Sequence, residues 1–154
     1  MDIMNLINEI CLLYVQIANT NKHQFLKRFK YRKEIKSMQN KLRRKNIFRF
    51  SDAFVTFVTG LPADLKELCQ INGVKVGSSY IVIQIDNKYI DYSAANRKFF
   101  VTDNDENLIY TVYEHTKVSK NTQNKWNPLM DSIYNRYIAM INLVAYELAQ
   151  RNSD

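Results

Sequence analysis

Apolar residues recur along this chain with two different periods, and the change between them divides it. From residue 2 to 18, Ile3, Leu6, Ile7, Ile10, Leu13, Tyr14 and Ile17 fall three and four apart, the spacing that lines one side of an α-helix. Met4, Cys11, Leu12 and Val15 widen that arc, so two neighbours are expected to cover it. After a polar break at residues 19–22, Tyr31, Ile35, Met38 and Leu42 form a narrower seam, spaced four, three and four. Phe25, Leu26 and Phe29 lie on a different side, which predicts either a helix break near Lys30 or a contact with a second surface.

Two short helices are expected between Asn46 and Gly73. Ser51 is suited to cap the first, which carries Phe54, Phe57 and Val58 and stops at Gly60. Pro62 suits the first turn of the second, with Leu65, Leu68 and Ile71 on its inner side and Asn72-Gly73 as its stop. The period then becomes two. Ile81, Ile83 and Ile85 alternate with Tyr80, Val82 and Gln84, and Asp86-Asn87 leads into a second extended run, Lys88 to Tyr92. Lys98 to Thr102 and Leu108 to Glu114 complete an antiparallel meander of about four strands, with Val74 to Val76 as a candidate edge strand. Residues 117–125 read as a polar loop. Asn127-Pro128 then opens a long helix striped by Met130, Ile133, Tyr137, Met140, Ile141, Val144 and Leu148. The fold class is α+β, and 154 residues fit a single domain.

Charge adds what hydropathy does not show. The stretch 22–49 holds twelve of the 22 Lys and Arg residues but one of the fifteen acids, Glu34, a surplus of eleven positive charges on a chain whose net charge is +7. A basic helical arm on a mildly acidic remainder calls for an anionic partner, either nucleic-acid backbone or an acidic protein surface. The residues expected to make that contact are Lys27, Arg28, Lys30, Arg32, Lys33, Lys36, Lys41, Arg43, Arg44 and Lys45, acting on phosphate or carboxylate without base specificity. Tyr31, Ile35, Met38 and Leu42 are the expected interface seam, in a homo- or hetero-oligomer if another chain covers them.

Catalytic chemistry is poorly represented. Glycines at 60, 73 and 77 alone rule out a phosphate-cradling loop. Asp103-Asn104-Asp105-Glu106-Asn107 with Glu114 has the acidic spacing of a calcium loop, but Leu108 stands where Gly is needed and a strand follows, so a hairpin turn is expected. Asp86, Lys88, Asp64 and Glu67 are the materials of a metal-dependent nuclease, the enzymatic alternative. His23 and His115 have no ligand partner at metal spacing; His115 beside Glu114 is half of an acid/base pair without a nucleophile. Outward-facing Tyr80, Tyr89, Tyr92, Tyr110 or Tyr113 offer a stacking surface, with core filling the simpler reading.

No metal or cofactor is called for. Cys11 and Cys69 among apolar neighbours read as reduced, buried thiols. The apolar run Ile10 to Val15 is too short to span a bilayer, so no membrane partner is expected. These readings predict a cytoplasmic binding or assembly protein, or a structural subunit of a nucleoprotein or virus-like particle assembled inside a cell. A protein-only oligomeric interaction or inhibitor protein is the other non-catalytic alternative.

Overall fold

A computed structural model describes residues 1–152. Its elements run α1 (Ile3–Ala18), α2 (Phe25–Leu42), α3 (Ile47–Thr59), α4 (Ala63–Ile71), β1 (Val74–Val76), β2 (Tyr80–Ile85), β3 (Lys88–Ser93), β4 (Lys98–Asp103), β5 (Leu108–Tyr113) and α5 (Lys120–Arg151). The class is α+β, with five strands where the alternation predicts about four. Contacts cluster in two units: Met1–Lys45 with the chain from Tyr134 onward, and Asn46–Ile133. Helix α5 begins in the second and ends in the first. No helix is long and apolar enough to cross a membrane among the described residues.

In the first unit, Asp2 caps α1 by accepting from the Asn5 amide at 2.8 Å. The predicted stripe Leu6, Ile7, Ile10, Leu13 and Ile17 is buried, while Leu12, counted in the wider apolar arc, is exposed. Helix α2 packs on α1 without interruption at Lys30. It ends at Leu42, so Arg43, Arg44 and Lys45 stand in a turn and Ile47 to Arg49 already belong to α3. The basic arm is therefore a helix plus a turn, shorter than the 22–49 segment that charge alone marks out. Helix α5 is tied to α2 by Gln39 Nε2 donating to Asn142 Oδ1 at 2.7 Å, and to the turn after it by Arg43 Nε donating to Asn135 Oδ1 at 3.3 Å.

In the second unit, Asn46 caps α3 and Ser51 does not. The Asn46 Oδ1 accepts from the amides of Phe48 and Arg49 at 2.9 and 3.1 Å. Ser51 lies buried one turn inside, where its hydroxyl donates to the Ile47 carbonyl at 2.7 Å. Starting earlier lets the helix bury Ile47, Phe48 and Phe50 together with Phe54. Gly60 ends α3 as expected. Pro62 sits at the cap of α4, and Gly73, at φ 80°, turns the chain into the sheet.

The sheet has the order β1-β2-β3-β4-β5 and is antiparallel throughout. Val74 faces Ile83, Ile83 faces Ile90, and Ile90 faces Val101, all buried; Ile81, Tyr92, Phe99 and Val112 form a second buried row. Helices α3 and α4 pack on the β1–β2 side of the sheet. Trp126 covers Phe99, with ring centroids 5.1 Å apart. That contact explains a second difference from the periodicity: α5 starts at Lys120, not at Asn127, and Pro128 is inside it. The polar stretch is helical because it carries Trp126, which is 3% exposed, into the core. Ser119 closes the new end by accepting from the Thr122 amide at 3.2 Å.

Candidate anion-binding groove on the basic helix

Helix α2 is a costly helix by itself. No side chain caps its start, its first turn has no acid, and Lys27 and Arg28 lie near the positive end of its dipole. Among the described residues, none of its Lys or Arg side chains is ion-paired with a carboxylate. Packing of Ile35 and Leu42, both buried, holds it in place.

Two sides of the helix carry the expected cations. Arg28, Arg32, Lys36 and Arg43 follow one another at helical spacing and line a groove of about 620 Å³ within the first unit. Its other walls include Tyr14 from α1, Gln39 from α2, and Tyr146 and Gln150 from α5; among the described residues no carboxylate lines it. Arg28 Nε is covered and has no hydrogen-bond acceptor among the described residues. Among the described residues Arg43 is held by neutral amides, donating to Asn40 Oδ1 at 2.9 Å and to Asn135, and pairs with no carboxylate. Burial raises the Tyr14 phenol and the nearby Arg32 charge partly opposes that shift, so Tyr14 is a neutral donor at the groove wall.

Lys33, Lys36, Lys41 and Arg44 line a shallower hollow of about 290 Å³. Lys27 and Lys30 are exposed outside both. Lys45 plays a local part instead: its ammonium donates to the Met1 carbonyl at 2.9 Å and its own carbonyl accepts from the Tyr134 hydroxyl. Of the seam residues, Ile35 and Leu42 are covered by the chain itself and Tyr31 and Met38 are half-buried. The apolar side chains that α2 leaves open are the three at its start, Phe25, Leu26 and Phe29.

The remaining candidates are less coherent. Asp86 and Lys88 border a hollow of about 530 Å³ in the second unit whose lining includes no second carboxylate; Asp64 and Glu67 do not reach it. No group of three potential metal ligands occurs among the described residues. Asp103 spends its carboxylate on its own turn, accepting from the amides of Asn107 and Asp105, both at 2.9 Å, which holds its pKa below the usual range. Both thiols are free, and burial lifts Cys11 to about 11, far from a reactive thiolate. Tyr92 is a core residue whose hydroxyl donates to Asp52 Oδ1 at 2.6 Å, while Tyr80 and Tyr113 are exposed and Tyr89 and Tyr110 half-buried.

Two features were hidden from sequence reading. Arg97, at φ 50° in the β3–β4 turn, bridges Asp52 on α3 and Glu114 after β5; its Nε and Nη2 donate to the two Glu114 oxygens, each at 2.7 Å. His115 Nε2 lies 2.9 Å from Glu114 Oε1, so the pair expected at the strand end exists but its carboxylate is occupied by arginine. On the opposite sheet face Asp91 stands between Val82 and Phe100, with Oδ1 covered and unpartnered, and burial raises its pKa. Strand alternation places Asp91 on the face away from Ile90 and Tyr92, and no sequence signal joins Arg97 to Asp52 and Glu114. Comparison with protein-family models, with curated proteins and with solved structures found no match.

Proposed function

We propose that this chain is a non-catalytic binding and assembly protein whose basic helix holds the phosphate backbone of a nucleic acid, as a structural subunit of a nucleoprotein particle. The groove carries the reading. Arg28, Arg32, Lys36 and Arg43 line one concavity that holds no carboxylate among the described residues, and a covered guanidinium N–H there lacks an acceptor among them. Phosphate oxygens supply what those donors need: strong acceptors that bring the opposing charge. The hollow lined by Lys33, Lys41 and Arg44 extends the cationic surface along α2, as a backbone passing several phosphates requires.

The test is binding of labelled single- and double-stranded DNA and RNA across a salt series, with light scattering on the same samples to follow assembly. Four phosphate contacts predict that log K falls against log salt with a slope of about −3.6 on duplex and about −2.8 on single strands. Changing Arg28, Arg32 and Lys36 to Gln should flatten the single-strand slope by about 2. No binding at low salt would refute the nucleic-acid reading and assign the helix to an acidic protein partner.

A further inference from the structure

Phe25, Leu26 and Phe29, the first turn and a half of α2, are 70%, 74% and 61% exposed. Three large apolar side chains left open in so short a stretch mark an interaction surface. With Arg28 and Arg32 they line a hollow of about 470 Å³, and the same two arginines line the anion groove, so the apolar hollow and the groove share a wall. Lys33 Nζ lies 5.5 Å from the centroid of the Phe29 ring. The occupant must therefore present an apolar or aromatic face and a negative charge a few ångströms away. An unpaired nucleotide does both; a duplex hides its base faces in its own stack.

We infer that the first turns of α2 bind single-stranded nucleic acid, with bases stacked on Phe25 and Phe29 and the phosphates between them on Arg28 and Arg32, from which the strand continues along the groove. The inference rests on the reading that α2 faces nucleic acid, and goes beyond it in naming the strandedness and the residues that select it. The rings supply affinity that is independent of salt. The guanidinium groups supply the part that salt screens.

The experiment compares a fluorescein-labelled single-stranded 20-mer of thymidine or uridine with a duplex of equal length, for the wild type, Phe25→Ala/Phe29→Ala and Phe25→Tyr/Phe29→Tyr. The exposed rings are outside the core, so truncation spares the fold, which far-ultraviolet circular dichroism checks. The wild type should prefer the single strand. The alanine pair should lose about tenfold or more in single-strand affinity with its salt slope and its duplex affinity unchanged, and the tyrosine pair should keep most of the wild-type affinity. Single-strand affinity that survives the alanine pair would overturn the inference and leave the proposed function standing. No nucleic-acid binding by the wild type would overturn both. Binding to phosphatidylserine vesicles, or a concentration-dependent dimer, abolished by the alanine pair without any single-strand preference in the wild type, would reassign the hollow to lipid or to a second copy.

Discussion

Replacing Arg97 by Ala removes a side chain that bonds to both Asp52 on α3 and Glu114 after β5. Its guanidinium makes two 2.7 Å bonds to Glu114, whose side chain is 10% exposed, and a further bond to Asp52, which is 35% exposed, as is Arg97 itself. The two contacts differ in worth. Hydrogen bonds to a charged group out of solvent contribute about 1.5 to 3 kcal/mol, whereas a pair as open as Arg97–Asp52 contributes at most about 1 kcal/mol. Losing both leaves Glu114 covered and short of its strongest partner, so the expected cost is about 2 to 3 kcal/mol. Arg97→Lys keeps the charge but not the fork, and should cost about half as much. Urea unfolding followed by the fluorescence of Trp126, the sole tryptophan, buried in the same unit, reads this directly. The pH dependence gives a second check. Arg97 holds the Glu114 carboxyl below its ordinary range, so the stabilisation is complete above the unfolded-state pKa and is lost as pH falls through the folded one. The gap between wild type and Arg97→Ala should therefore be widest at neutral pH and narrow in the acid region below about pH 4. A gap under about 0.5 kcal/mol at neutral pH, or one independent of pH, would refute the assignment of this network as a structural clamp.

Four further substitutions test the fold at separate points. Asp91→Asn should stabilise the second unit by about 1 kcal/mol at pH 7, because it removes a covered, unpartnered charge; the raised pKa of Asp91 means the native carboxylate costs most above its folded pKa, so the gain should vanish below about pH 4 in the same urea assay. Gly73→Ala, at φ 80°, should lower stability by about 1 to 2 kcal/mol, whereas Gly60→Ala, at φ −83° with its nearest neighbour 3.4 Å from the added methyl, should be neutral or gain about 0.5 kcal/mol by thermal melting. Asn46→Ala should cost about 1 kcal/mol in chemical denaturation by removing the acceptor for the Phe48 and Arg49 amides.

What sequence reading could and could not reach follows from the range of each interaction. Helix α1 and the strands were legible because burial repeats with the period of the element: Leu6, Ile7, Ile10, Leu13 and Ile17 define their own stripe, and Ile81, Ile83 and Ile85 define theirs. Boundaries were less legible wherever two residues compete for one task. Asn46 and Ser51 both make good caps, and the choice depends on the burial of Ile47, Phe48 and Phe50, which no local rule weighs. The start of α5 depends on a similarly distant contact, since Trp126 docks on a ring that belongs to β4.

The candidate site divides along the same line. Charge is additive along a chain, so a basic stretch is visible from composition alone, but composition does not place its helix end: seven of the ten cations stand in α2 and Arg43, Arg44 and Lys45 in the turn after it. Whether they act together is a matter of which walls approach them. Tyr14 and Tyr146 enclose Arg28, Arg32, Lys36 and Arg43 in a groove, while the neighbouring Lys45 is drawn off to the Met1 carbonyl. The apolar residues follow an inverse logic. Ile35 and Leu42, whose seam marks them as interface, are consumed by folding, and Phe25, Leu26 and Phe29, which fit no seam, are left exposed. A residue that breaks the pattern of its own helix has no place in that helix's core, and on α2 those residues stand beside the arginines of the groove.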